Sequence, residues 1–267
     1  HLMKLRRLAR LVRRREQRRE QEAELEEGAV RVHKLAADDL LDLADNVGGD
    51  VDKGVKVWRE RLTSLPERPP LPPLLQAQLR DYQVEAFQWL ARLANIPTGA
   101  ILADDMGLGK TLCALSLLLH RASKGPALVV VPTSLLRNWQ DEATRFAPSL
   151  QMHVFHGGSR KLDLATLSSS DVVLTTYGVM LSDIQKLEST RFSTLVLDES
   201  QALKNASTKR SKAALRLSSE MCLALTGTPI ENHLGELHAQ LQLVAPHLLP
   251  DDKDFRSRFA RPIEDGD

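Results

Sequence analysis

Residues 99–111 read GAILADDMGLGKT, and the reading of this stretch decides the fold. Ala100 to Ala103 form a short apolar run, Gly107 and Gly109 bracket Leu108, and Lys110 and Thr111 open a mostly apolar segment that ends near His120. Strand, glycine loop, helix is the order this predicts. Such a loop aims backbone N–H groups and a helix N-terminus at a polyphosphate. Lys110 would reach the β- and γ-phosphates, and the Thr111 hydroxyl would hold Mg²⁺. A strict phosphate-loop pattern wants glycine six residues before the lysine, where this chain has Asp104. The match therefore needs partners elsewhere in the chain.

Length and composition narrow the search for them. A chain of 267 residues accommodates one large α/β domain and a smaller appendage. The hydrophobic fraction of 42% supports a real core, and an aromatic share of 4% makes that core aliphatic. Only Cys113 and Cys222 occur, which argues against a disulfide framework and fits a reducing compartment. The apolar runs are too short for a membrane span, and no apolar signal region follows the basic residues 4–19. With a formal net charge of +1, any nucleic-acid surface has to be local.

Taken in order, residues 4–19 carry nine Lys or Arg, with Leu5, Leu8, Leu11 and Val12 at helical spacing. They read as a basic amphipathic helix, suited either to an acidic partner or nucleic acid or to plain solvation. Residues 20–27 turn acidic, and apolar patterns over 30–43 and 51–65 predict further helices. Residues 1–65 are thus expected to form a small helical region without chemistry of its own. Five prolines lie between 65 and 73, through which no helix runs, so 66–74 is expected to be a linker. A helix is predicted over 79–94, with Tyr82, Ala86, Trp89, Leu90 and Leu93 as its apolar stripe.

Six strands are predicted: 100–103, 127–131, 151–155, 171–175, 194–197 and 221–226, with helical or irregular stretches between them. Ser134 is a candidate cap for the helix carrying Leu135, Leu136 and Trp139. Strands rich in Val, Leu and Ile that alternate with helices predict a mostly parallel sheet covered on both faces. Function in such a sheet collects at the carboxyl ends of the strands. Those ends carry Asp104-Asp105, Pro132-Thr133, Thr175-Thr176-Tyr177, Asp198-Glu199 and Thr226-Gly227-Thr228. Asp198 can help hold Mg²⁺ beside Thr111, and Glu199 is a candidate for polarising the attacking water. Asp104 and Asp105 either shape the loop or are merely solvated. Gln83 can offer an adenine edge both a donor and an acceptor, which favours ATP over GTP, or it simply faces solvent.

Several separated segments together resemble the first motor lobe of Swi/Snf-type ATPases, bacterial members above all, within the superfamily-two helicase-like translocases. Leu79-Arg80-Asp81-Tyr82-Gln83 with Trp89-Leu90 resembles the family's adenine-reading segment. Residues 104–111, DDMGLGKT, are similar to its phosphate loop, including the missing first glycine. Val130-Val131-Pro132, Ser134-Leu135-Leu136 and Asn138-Trp139 resemble one segment that touches the DNA backbone, and Leu174-Thr175-Thr176-Tyr177 a second. Leu197-Asp198-Glu199-Ser200-Gln201 stands at the acidic box, with Ser200 where many relatives have Ala and Gln201 where many helicase-like enzymes have His. Lys204-Asn205 continues the bacterial pattern. Thr226-Gly227-Thr228-Pro229, followed by Glu236-Leu237, resembles the segment that couples nucleotide state to DNA contact.

The resemblance spans about residues 75–262 and implies an α/β, RecA-like, three-layer lobe over 75–250, after the helical region and the linker. It implies ATP and Mg²⁺ as ligands: Gln83, Met106, Gly107, Leu108, Gly109, Lys110 and Thr111 on the nucleotide, Thr111 and Asp198 on the metal, and Lys110, Asp198 and Glu199 in catalysis. It further implies Thr133, Ser134, Thr176 and Lys204 on duplex DNA, and Thr226, Gly227 and Thr228 in coupling. After Pro229 only 38 residues follow, too few for a second sheet domain, so 251–267 reads as the start of a connection to a second lobe that supplies arginines to the γ-phosphate. The expected function is ATP-driven translocation on double-stranded DNA against an unidentified protein target, in the cytoplasm or at a bacterial nucleoid. An RNA- or single-strand-directed helicase lobe and a non-hydrolysing nucleotide-binding scaffold stay open as alternatives.

Overall fold

The computed structural model describes residues 68–95, 99–105, 107–228, 234–246 and 251–261. The helices expected over 1–65, Met106 and residues 229–232 lie outside the described residues. At the centre is a six-stranded sheet of β1 (Ala100–Leu102), β2 (Ala127–Val131), β3 (Gln151–Val154), β4 (Asp171–Thr176), β5 (Phe192–Leu197) and β6 (Ser219–Leu225). The order across the sheet is β1-β6-β5-β2-β4-β3, and every pairing is parallel.

All six strands fall where predicted: β2, buried along its whole length, reads as an unbroken aliphatic run, whereas the edge strand β3 is only partly buried and mixes Gln151 and His153 with Met152 and Val154. β5 starts two residues earlier than expected and β6 starts at Ser219. Phe192 pairs with Ser219, so the ladder runs on past the point where the apolar pattern stops.

Helices α1 (Asp81–Leu93), α2 (Lys110–Arg121) and α3 (Leu136–Phe146) carry residues of one core, with Leu90, Leu115, Leu118 and Trp139 packed among Val129, Val131, Leu174, Val196 and Leu223. The other core gathers Leu128, Val130, Val173, Leu195 and Leu197 with residues of α4 (Tyr177–Ser182), α5 (Ile184–Glu188), α6 (Lys209–Ala214) and α7 (Leu234–Val244). Alternate residues of β2 serve opposite cores, as the two-residue period of a strand requires.

The buried face of α1 differs from the predicted stripe. Gln83, Phe87, Leu90 and Ala91 are buried, whereas Tyr82 and Trp89 are exposed. Tyr and Trp have apolar bodies with polar tips and serve on wet faces, and Gln83 turns inward because both ends of its carboxamide find partners there. Ser134 is likewise not the cap of α3. It lies in a single 3₁₀ turn, Thr133–Leu135, that leads into the helix, and no side chain caps α3.

In the described part of the proline-rich stretch, Pro69 and Pro72 are buried, and the Gln76 N–H donates to the Phe146 carbonyl at 2.8 Å. Past α7, the short helix α8 (Asp252–Phe255) packs back on the lobe, with the Phe255 ring stacked on His238 at 4.4 Å between centroids.

Candidate nucleotide site at the carboxyl edge of the sheet

β1 ends at Leu102, and the chain re-enters helix at Lys110 through a loop in which Gly107 and Gly109 have φ of +83° and +80°. These are left-handed conformations, which glycine adopts without strain. A Cβ on Gly109 would also lie 2.4 Å from Gln83 Nε2. Gln83 braces the loop from behind, since its Nε2 donates to the Leu108 carbonyl at 3.0 Å while its Oε1 accepts from the Arg80 N–H at 3.0 Å. The Tyr82 hydroxyl donates to the same Leu108 carbonyl. The solvent-facing alternative for Gln83 is thereby excluded.

Lys110 is the first residue of α2, and its ammonium folds into the loop, donating to the carbonyls of Asp104 at 2.7 Å and Asp105 at 3.0 Å. These two residues shape the loop through their backbone. Thr111 follows, half-buried, in the first turn of the helix.

Asp198 stands at the end of β5, two strands away from β1 on the same edge of the sheet. Its side chain is buried and both carboxylate oxygens accept a hydrogen bond, Oδ2 from Trp139 Nε1 at 2.8 Å and Oδ1 from the Glu199 N–H at 2.9 Å. Its carbonyl accepts from the Tyr177 hydroxyl at 2.7 Å. Burial pushes the Asp198 carboxyl above its ordinary value, against the two N–H bonds. The Glu199 carboxylate adds to the rise and the Lys110 ammonium opposes it. Lys110 and Asp198, 88 residues apart in sequence, follow the carboxyl ends of parallel strands and so lie on the same edge of the sheet.

Glu199 has φ +50° and ψ +50°, the only positive φ of a non-glycine residue among the described residues. Its carboxylate accepts from Gln201 Nε2, and Gln201 Oε1 accepts from the Thr226 hydroxyl at 2.8 Å. Thr226 Oγ1 in turn accepts from the Thr228 N–H at 3.1 Å. A carboxamide, which donates and accepts at once, thus bridges the acidic pair to the segment after β6. Gly227 lies between the two threonines, partly exposed.

The residues expected on DNA divide into two kinds. Thr133 and Ser134 are exposed at the carboxyl end of β2. Thr176 is buried, and its hydroxyl caps α4 by accepting from the Val179 N–H. The Lys204 ammonium lies 3.4 Å from the buried Glu236 carboxylate on α7, so its charge is balanced inside the lobe. Trp139, grouped by resemblance with a DNA-touching segment, points inward to Asp198, and the neighbouring Asn138 donates to Glu142 on its own helix. Trp139, Tyr177 and Gln201 had not been singled out as site residues. Tyr177 and Gln201 carry one sequence signal, a place in or close to a polar cluster that follows a strand, whereas Trp139 lies well inside α3 and carries none.

The two cysteines are buried and free, with burial pushing the thiols up to about 11 at Cys113 and about 12 at Cys222, so neither is poised as a nucleophile. Among the described residues no group of three or more His, Cys, Asp or Glu side chains gathers to hold a metal, and no helix is long and apolar enough to cross a membrane. The donor set fits a hydrated Mg²⁺ bound with a polyphosphate, since such an ion takes one or two protein ligands and fills its shell with phosphate and water.

Fold and site define a parallel α/β lobe with a glycine loop and an acidic strand end on the same edge of the sheet. The SNF2-related domain family matches residues 82–267, and the chain belongs to that family. It is a RecA-like motor domain of the SWI2/SNF2 ATPase and helicase type. The Sulfolobus solfataricus SWI2/SNF2 ATPase core, solved in complex with dsDNA, superposes with a TM-score of 0.68 at 40% identity, covering 73% of this chain and 42% of that one. YwqA of Bacillus subtilis is 38% identical over 242 residues, which is 86% of this chain and 26% of YwqA. The helicase SWR1 of Saccharomyces cerevisiae is 36% identical over 245 residues, 85% of this chain and 16% of SWR1. The chain thus spans 26% and 16% of these two curated relatives' length. With an archaeon, a bacterium and a yeast at similar identity, the assignment holds for the motor domain as a whole and is not specifically bacterial.

Proposed function

We propose that this chain is the first lobe of an ATP-driven translocase acting on double-stranded DNA. The observation that carries the reading is that the glycine loop ending in Lys110 and the strand end carrying Asp198 lie on the same edge of the parallel sheet. Lys110 would release the Asp104 and Asp105 carbonyls to take the β- and γ-phosphates, with the first N–H groups of α2 beside it. Thr111 and Asp198 would hold Mg²⁺, which when bound spreads the charge of the phosphate oxygens. Glu199, free to exchange Gln201 for a water molecule, would orient the attacking nucleophile. Gln83 would have to trade the Leu108 carbonyl for an adenine edge to read the base, and its carboxamide has the donor and acceptor that ATP would need.

DNA contact falls to the exposed Thr133 and Ser134, whereas the buried Thr176 caps α4 and Lys204 is paired with Glu236, so these two would reach DNA only by leaving those partners. Contacts of this kind grip phosphate, encode little sequence preference and weaken steeply with salt. Charge developing on the transferring phosphoryl also needs cations from its far side, worth roughly 10³–10⁵ in rate when supplied as an arginine finger. We assign that part to a second RecA-like lobe of a longer protein, as the greater length of the relatives supports. The protein target is unassigned, and the cytoplasm, or the nucleoid in a bacterium, is the compartment this reading fits.

ATPase assays of the longer protein with duplex DNA, duplex RNA and single strands test the reading. Stimulation by duplex DNA and its loss in Lys110→Ala are expected, whereas stimulation by RNA or single strands alone would favour the alternative helicase lobe. The 267-residue chain by itself should show little stimulated turnover.

A further inference from the structure

Trp139 is fully buried, and its indole N–H, a donor with no acceptor capacity, has the Asp198 carboxylate as its partner. With Glu199 N–H on the other oxygen, both Asp198 oxygens are tethered, which fixes the plane of the carboxylate and leaves each oxygen a further lone pair for a cation. Trp139 sits on α3, the helix that follows directly from the exposed turn Thr133–Leu135. A rigid element therefore joins a surface turn to the carboxylate, and the joint is one buried hydrogen bond between residues 59 apart in sequence.

We propose that Trp139 is a positioning residue that aims the Asp198 carboxylate at Mg²⁺ and makes it answer to the turn Thr133–Leu135. The inference rests on the reading of Asp198 as a metal ligand and of that turn as duplex-facing. A side chain that orients a ligand from behind typically governs metal affinity by roughly 10–100-fold. Phe in place of Trp keeps most of the packing and removes only the donor.

The test uses the full-length protein and a fluorescent ATP analogue. In Trp139→Phe the Mg²⁺ concentration that half-saturates analogue binding is expected to rise roughly 10–100-fold, with affinity for the analogue in EDTA unchanged. A residue that only fills the core would lower thermal stability and leave the Mg²⁺ requirement where it was. In the unsubstituted protein, independent of how any variant folds, the Trp139 indole ¹H–¹⁵N resonance should move on adding Mg²⁺ with nucleotide, and again on adding duplex DNA alone. If the unsubstituted protein shows no Mg²⁺-dependent binding, the nucleotide reading falls and takes this inference with it. If it binds with Mg²⁺ while Trp139→Phe has the same requirement, or the indole ignores both additions, the inference alone is overturned.

Discussion

Helix α2 carries a cation at each end, and the two have opposite fates. At the carboxyl edge of the sheet Lys110 rests on two loop carbonyls in partly exposed surroundings. At the amino edge Arg121 is buried and saturated. Its guanidinium donates to the Thr194 hydroxyl and to the carbonyls of Ala94 and Ser193, each at 2.9 Å, and reaches Glu220 at 3.4 Å. The planar fork of arginine suits several fixed acceptors, while the single ammonium of lysine leaves a weak bond to backbone as easily as it makes it. One edge thus locks the lobe together through its arginine, and the other keeps its lysine on exchangeable partners.

This contrast can be broken in order of expected size. Glu199→Gln in the longer protein should lower DNA-stimulated turnover roughly 10²–10⁴-fold while nucleotide still binds; steady-state rates beside equilibrium binding will show it, and equal turnover would remove Glu199 from the chemistry. At the opposite edge, Arg121→Met should destabilise the lobe by about 3 kcal/mol by stranding buried carbonyls. Denaturant unfolding reads that loss, and nucleotide affinity of the folded fraction should not change. Gly109→Ala should cost about 1–2 kcal/mol from its left-handed backbone, with weaker nucleotide binding because Gln83 has to move.

The smallest effect lies away from both cations. The Ser182 hydroxyl holds the Asp183 carboxyl below its ordinary value, with Arg160 and Lys186 adding to this and burial opposing it. A carboxylate lowered in the folded state stabilises above its unfolded pKa, and that benefit fades as pH falls through the folded value. Asp183→Asn should therefore be about 1 kcal/mol less stable than the parent at neutral pH, and the difference should close in acid below the usual carboxylate range. Melting curves across pH measure it.

The same contrast explains what could be read from sequence. The central strands are legible because a parallel sheet covered on both faces leaves aliphatic runs, the edge strand β3 being the mixed and partly exposed exception, and the polar first residues of β6 and the start of β5 escape the pattern. Lys110, Thr111 and Asp198 were legible because each follows such a run at a fixed offset. Trp139, Tyr177 and Gln201 were not, since their importance lies in hydrogen bonds to residues that only the folded sheet brings near. The face of α1 was misjudged for a related reason: a glutamine counts as polar until a loop carbonyl and a backbone N–H bury it. Arg121 gave no signal at all, because a basic residue closing a helix looks the same whether it is solvated or clamped.

The backbone at Glu199 has a cost of its own. A side chain held in that region forfeits of order 1–3 kcal/mol, and glycine would sit there at ease. The lobe gives up some resistance to unfolding so that a carboxylate can stand just past the end of β5, and a variant selected purely for heat tolerance should be drawn to relax that turn first.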